Sequence, residues 1–349
     1  MFASWDGEEY GLVGSTEWVE EYLPWLTHAN VAYVNVDVAT AGPRFSAAAS
    51  PLLNKILYEV TALVQSPNQT VAGQTIRDLW SGHIDTMGSG SDFTAFQDYA
   101  GVPSIDFGFG PNPESPGDSG GAVYHYHSNY DSFYWMDTYG DPGFHYHAAV
   151  AKLLGLYTAR LAESPIIPLN ATDYAIALDD YISSLENKLD SIIDGAASED
   201  EIEIRAAPTP TEIKGDINTL KLSFQSLHDA ASKLIKSAAE HDAWAAELAE
   251  EAGNNIPWWK WYSKLKLFYS IRRVNTKYKF LERQFLYQKG LDGRSWFKHV
   301  VYAPGIWTGY SGAVFPGLVE AIQAKDYGNA ERWVGIIERR LLKAAKSLE

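Results

Sequence analysis

The chain has 349 residues, 46% of them hydrophobic and 21% charged, with no cysteine and a formal net charge of −16. This balance excludes disorder, and the length is enough for two hydrophobic cores. Without cysteine there are no disulfides, thiolate zinc sites or cysteine nucleophiles, and the acidity argues against nucleic acid or an anionic membrane surface as partner.

The first dozen residues, through Ser4-Trp5-Asp6-Gly7-Glu8-Glu9-Tyr10-Gly11-Leu12-Val13-Gly14-Ser15, place two adjacent carboxylates before a Gly-punctuated exit. Met1 to Ser4 leads straight into what reads as the end of a buried strand, an odd place to begin, so upstream sequence is expected to be missing. Side chains of neighbours on an extended stretch point opposite ways. Glu8 and Glu9 therefore divide the work: one ligates a metal, the other reaches the water that the metal activates. The plain alternative is a solvated acidic turn.

Ser15-Thr16 caps a predicted short helix, Glu17 to Tyr22, stopped before Pro24. Val31 to Val36 is a near-continuous apolar run ending at Asp37, the pattern of a strand buried on both faces of a parallel sheet. A carboxylate at the C-terminal edge of such a strand is where α/β folds place their sites. Pro51 to Leu63 follows as an amphipathic helix. A Gly/Ser loop, Thr86 to Phe93, leads into helical Thr94 to Tyr99. Gly101 to Phe109 is a second buried strand. A Pro/Gly/Ser-rich loop, Pro111 to Gly121, precedes Tyr124 to Asp131, and Phe144 to Leu161 is a helix. This alternation is the α/β signature.

The pattern changes near Ser164 to Pro168. Long helices are predicted at Asp173 to Ile193, Pro210 to Glu251, Trp258 to Tyr287 and Leu318 to Leu348, with an acidic loop from Gly195 to Pro210 and one strand at His299 to Tyr302. The division is therefore residues 1–163 and 164–349, the second a helical bundle. The cluster Trp258-Trp259-Lys260-Trp261-Tyr262 reads as core or interface packing. No run is apolar and long enough to cross a bilayer. Two sequons, at Asn68 and Asn170, are glycosylation candidates if the parent protein is secreted.

Glu9, Asp37 and His127 form a mixed oxygen and nitrogen donor set that suits zinc. His125 is a rival ligand if its stretch is extended. His83-Ile84-Asp85 has H-x-D spacing but sits in a loop and reads as a decoy. His145 and His147 read as structural, His228 and His241 as helix-surface residues. No Gly-x-Ser-x-Gly elbow supports serine catalysis.

Four blocks together resemble the glutamate carboxypeptidase II and transferrin receptor family of co-catalytic zinc peptidases: Trp5 to Trp18, Asn35-Val36-Asp37, Gly88 to Phe93 and Tyr126 to Asp131. The resemblance continues through His299 to Pro304 and Phe315-Pro316-Gly317. It implies a partial zinc-aminopeptidase-like mixed sheet with flanking helices, followed by an all-α dimerisation domain. It makes Glu8 the general base and Glu9, Asp37 and His127 zinc ligands, with Tyr126 stabilising the oxyanion. Gly90 and Ser91 would line the substrate cleft with Tyr310. Glu17 and Glu20 match positions that help hold calcium. A homodimer, a peptide substrate and a membrane-anchored parent in the secretory pathway or vacuole are further implications.

The departures also carry expectations. The family's upstream zinc-binding His and bridging Asp are expected outside this chain, which alone should bind metal poorly and show little activity. The family's arginine patch corresponds to Ile105-Asp106-Phe107-Gly108, with no arginine, and Gly309 replaces the cation beside Tyr310. A pocket without those cations should not prefer acidic side chains. The rival class is a non-catalytic receptor-like or dimerisation protein.

Overall fold

A computed structural model describes residues 1–111, 125–193, 217–254, 257, 259–306 and 312–349. The first region contains α1 (Val13–Ala29), β1 (Tyr33–Asn35), β2 (Arg44–Ala49), α2 (Asn54–Thr61), α3 (Ile76–Leu79), β3 (Ser104–Gly110), α4 (Phe133–Trp135) and α5 (His145–Glu163). The three strands form one mixed sheet in the order β1-β3-β2. β1 runs parallel to β3 with Asn35 opposite Asp106, and β2 runs antiparallel with Ala48 opposite the same Asp106. α5 packs on β3 and α2, and its buried Tyr157 hydroxyl donates to the Leu53 carbonyl at 2.9 Å.

Several elements differ from the sequence reading. Met1 to Ser4 is exposed coil, and the strand end expected after it is absent: α1 is the first described element. α1 continues through Pro24 to Ala29. Proline removes one intrahelical bond, but Val19 and Leu26, two turns apart on one face, are both buried against Phe96, Ala100 and Val102. That packing carries the helix past the break. β1 is only partly buried, Asn35 excepted, because it pairs with β3 alone among the described strands. β2 is an element the sequence reading passed over. Its exposed and buried residues alternate, but two of its three buried positions are Ala47 and Ala49, too small to stand out.

The second region contains α6 (Ala171–Ile193), α7 (Ile217–Gly253), α8 (Trp261–Leu281), a two-stranded ribbon of β4 (Tyr302–Pro304) and β5 (Gly312–Val314), α9 (Pro316–Gln323) and α10 (Tyr327–Leu348). α7 lies between α6 and α10. The expected last helix is two: the chain turns at Lys325, with φ of 56°, and Asp326 then caps α10 by accepting from Asn329 N–H at 3.0 Å. Neither interior histidine is a surface residue of the kind expected. His241 is buried. His228 bridges α7 to α6, with Nδ1 2.8 Å from Asp179 and Nε2 3.1 Å from Glu186.

One hydrophobic cluster runs through both regions, from Phe45, Ile56 and Ile105 to Leu227, Phe285 and Trp333. At its centre Glu282 is fully buried. Its carboxylate accepts from the Ser50 hydroxyl at 2.9 Å and the Tyr174 hydroxyl at 3.0 Å, with His299 Nε2 3.0 Å away. His299 Nδ1 accepts from the N–H groups of Val301 and Tyr302 at 3.1 and 3.2 Å. That assigns the ring proton to Nε2 and makes His299 a donor to Glu282.

Candidate active site

The loop that carries Glu8 and Glu9 is a coiled turn rather than extended chain. Leu12 N–H donates to the Glu8 carbonyl at 2.8 Å, Val13 N–H to Gly7 at 3.1 Å and Gly14 N–H to Asp6 at 3.0 Å. Gly7, Gly11 and Leu12 take positive φ. A Cβ on Gly14 would sit 2.4 Å from the Asp6 carbonyl oxygen, so only glycine lets the loop close on the first turn of α1. An aromatic cluster anchors the loop. Trp5 Nε1 donates to the Tyr33 hydroxyl at 2.9 Å, and Tyr33 stacks on Phe96 at 4.0 Å between centroids.

Asp37 follows β1, where the sequence placed it, and is exposed. A closed ring of hydrogen bonds holds it. Ser91 Oγ donates to Asp37 Oδ2 at 2.6 Å, and Asn35 Nδ2 donates both to Ser91 Oγ at 2.9 Å and to Asp106 Oδ2 at 3.0 Å. Asp106 Oδ1 then accepts from the Asp37 N–H at 3.1 Å. Ser91 is thus buried against Asp37. Gly90, its neighbour, lines a cleft of about 440 Å³ with Glu8, Glu9 and Thr16. Trp296 and Phe297 of the helical region complete that wall. A second cleft, of about 340 Å³, is lined by Asp37, Asp106, Phe107 and Tyr126.

His127 lies in a turn, with φ of 58°, not beside a strand. Its Nε2 is 2.9 Å from Glu9 Oε1, and its ring stacks on Tyr126 at 3.8 Å. His125 is buried, with its ring centroid 3.5 Å from that of Trp135. It packs inward while His127 faces Glu9. His83 and Asp85 pair with each other at 3.0 Å on the surface. Glu17 is exposed, and the Glu20 carboxylate accepts from Trp296 Nε1. Tyr310 lies outside the described residues.

The electrostatics tie these residues together. Burial raises the Glu8 pKa above its ordinary value, and the charges of Asp37, Glu9 and Asp92 raise it further, against a smaller opposing effect of His127. Burial and the Asp37 charge likewise raise Asp92. Burial pushes Asp106 up to about 6 despite its hydrogen bonds from Asn35 and Asp37 N–H. Glu8 thus feels the charges of three other carboxylates, a repulsion that a divalent cation would relieve. The donor chemistry of Glu9, Asp37 and His127 fits zinc, and Glu9 and His127 already meet. Among the described residues, however, no group of three or more His, Asp or Glu side chains is arranged to hold a metal ion. Asn35 and Asp106 were not read as site residues from sequence, and Asp92 only as the end of the loop, Gly88 to Asp92, expected to line the substrate cleft. Two of them stand inside or beside quoted motifs, and Asp106 lies where the family's arginines were missed.

Residues 1–139 match the family model of peptidase family M28, and residues 222–349 match that of the transferrin receptor-like dimerisation domain. The two stand in that order on one chain. The chain belongs to the glutamate carboxypeptidase II and transferrin receptor family. A "Probable glutamate carboxypeptidase" of Arthroderma benhamiae is 39% identical over 97% of this chain and 41% of its own length. "Probable glutamate carboxypeptidase LAMP1" of Arabidopsis thaliana is 35% identical over 96% of this chain and 42% of its own length. "Aminopeptidase NAALADL1" of Rattus norvegicus is 27% identical over all of this chain and 43% of its own length. The chain thus spans about two fifths of the length of the relatives it matches.

Proposed function

We propose that this chain carries part of the active site of a zinc exopeptidase and that further metal donors, a His and a bridging Asp, come from outside it. The observation that carries the reading is the meeting of Glu9 with His127 at 2.9 Å beside Glu8 and the braced Asp37. Glu9, Asp37 and His127 would hold the metal. When bound, zinc polarises the scissile carbonyl and lowers the pKa of attacking water. Glu8 takes the proton from that water and passes it to the leaving amine. The Tyr126 hydroxyl donates to the oxyanion. Gly90 and Tyr310 line the substrate cleft. Glu17 and Glu20 help hold calcium, with other oxygen donors outside the chain.

Residues 1–163 form the peptidase part and 164–349 the helical part, through which the parent protein dimerises. By its resemblance the parent would be a membrane-anchored protein of the secretory pathway, at the cell surface or in the vacuole. Asp106 on the cleft wall beside Asp37, with no arginine among the described residues lining that cleft, speaks against acidic side chains as the preferred substrates. The retained Glu8, Glu9, Asp37 and His127 favour catalysis over a receptor-like role.

The test measures zinc content and peptidase turnover in this chain and in the longer parent protein, each with Glu8→Gln. Turnover in the parent, lost by 10² or more in the variant, is the expected result. Two tightly bound zincs and turnover in this chain alone would overturn the need for outside donors. A parent without turnover on peptide libraries would leave the receptor-like reading.

A further inference from the structure

The thirty residues from Ala252 to Leu281 contain seven Lys and Arg and no Asp or Glu, in a chain whose net charge is −16. Two of the seven turn inward: Lys277 Nζ donates to the Leu348 carbonyl at 2.7 Å and Lys279 Nζ to His28 at 2.6 Å. The other five, Lys260, Lys264, Lys266, Arg272 and Arg273, are exposed. None of the five has an ion-pair partner among the described residues. The acidity of the whole chain, which argues against an anionic surface, therefore does not hold here.

The same stretch exposes its large apolar side chains. Trp261 is 66% exposed, Tyr262 69%, Phe268 56% and Tyr269 60%, with Trp259 and Leu265 also exposed. Trp258 lies outside the described residues; the rest of the cluster expected to be core or interface packing is on the surface. Trp261, Leu265 and Phe268 follow the i, i+4, i+7 spacing of one helix face, and Lys264 and Arg272 flank them. In the first two turns of α8 only Leu267 is buried, whereas Val274, Tyr278 and Leu281 fix the second half in the core. Beside this face a cleft of about 450 Å³ is lined by Trp244, Tyr262, Tyr269 and Arg273. The Arg273 guanidinium lies 5.6 Å from the Trp244 ring.

We propose that the N-terminal half of α8 docks on an anionic lipid bilayer, lying in the plane of the interface. Tryptophan and tyrosine sit at the headgroup level, and interleaved lysines and arginines pair with anionic headgroups. No helix among the described residues is long and apolar enough to cross a membrane, so the contact is peripheral. The dimer expected of the helical part would use another face. Two-fold pairing of the face on itself would set five cations against five. Charge alone would also suit a soluble acidic protein; the interleaving of lysines with tryptophan and tyrosine along one exposed half-helix is the pattern of an interfacial helix.

The test is vesicle co-sedimentation of this chain and of the longer parent protein. Vesicles of phosphatidylcholine alone are compared with vesicles containing 30% phosphatidylserine, at low and at high salt. The expected result is at least tenfold stronger binding to the phosphatidylserine vesicles, weakened by salt. Lys260→Glu/Lys264→Glu/Lys266→Glu and, separately, Trp261→Ser/Phe268→Ser should each lose at least tenfold, with unchanged circular dichroism and melting temperature. Brominated lipid should quench tryptophan emission in the wild type and less in the second variant. No binding, binding indifferent to lipid charge, or binding retained in both variants would each overturn the proposal. So would binding by the chain but not by its parent, or equal capture by a soluble polyanion such as heparin that Trp261→Ser/Phe268→Ser does not weaken. The wild-type comparison of vesicles and salts decides the matter even if a variant fails to fold.

Discussion

The Ser91 hydroxyl donates to the Asp37 carboxylate at 2.6 Å, so a residue of the Gly/Ser loop orients one that follows β1. If Asp37 is a zinc ligand, Ser91→Ala frees it to rotate and leaves Asn35 with one acceptor fewer. Zinc affinity, measured by competition with a chromogenic chelator, should fall about 10- to 100-fold. Circular dichroism should be unchanged. Chelator treatment of the parent protein should abolish turnover, and added zinc should restore it. An unaltered affinity in Ser91→Ala would remove Asp37 from the ligand set or Ser91 from its support.

Gly14→Ala tests the turn beneath Glu8. Its new methyl would meet the Asp6 carbonyl oxygen at 2.4 Å, and both partners are backbone. The loop must shift, at about 1–3 kcal/mol. The melting temperature should drop, and the parent's turnover should fall further than the stability loss explains because Glu8 and Glu9 move with the loop. Equal stability and turnover would show that the turn tolerates a side chain.

Glu282→Ala should be among the most destabilising single changes. It leaves the Ser50 and Tyr174 hydroxyls and His299 Nε2–H without their shared acceptor, all in the interior. The expected loss is about 3–5 kcal/mol, read from urea unfolding. Glu282→Gln keeps an acceptor and the volume and should lose less. A small loss in both variants would mean that water enters the site.

Two histidines of α7 should oppose one another in their pH dependence. At His228 burial disfavours the charged ring, but the bonds to Asp179 and Glu186 outweigh it and raise the pKa above 6.5. Its contribution is fully present below about pH 6.5 and is lost as pH rises through the folded value. At His241 burial, aided by the Lys277 charge, lowers the pKa to about 4. The unfolded chain takes a proton there that the folded chain refuses, so stability falls as pH drops from about 6.5 toward 4. Relative to wild type, His228→Gln should therefore lose more at pH 6 than at pH 9. His241→Phe should flatten the acid side of the stability curve. Unfolding midpoints from pH 4.5 to 9 check both, and parallel curves for all three proteins would contradict them.

The position of Asp37 just after β1 was legible in the sequence, because a run of apolar residues ending in a polar one is a local signal. The two carboxylates, the Asp after β1 and the Tyr-His pair are each read from a few neighbours. Element boundaries were less legible where tertiary packing overrides a local signal, as Val19 and Leu26 do at Pro24. β2 was hidden because alanine gives a weak alternation. Asn35 and Asp106 could not be assigned because their hydrogen bonds to Ser91 and Asp37 form only when β1, β3 and the Gly/Ser loop meet. The exposed face of α8 was read as packing because composition shows how many aromatic rings a segment has, not which side of a helix remains uncovered.

Trp296 and Phe297 close the cleft in which Glu8 and Glu9 stand, and they come from the far end of the chain. The mouth of that cleft is therefore inherited from two stretches separated by nearly three hundred residues of sequence. A hybrid that took the loop bearing Glu8 and Glu9 from one relative and its helices from another would line this cleft with side chains from two different parents. If substrate enters there, as the proposed function has it, changes in the helical region would alter that entry as directly as changes in the loop bearing the carboxylates.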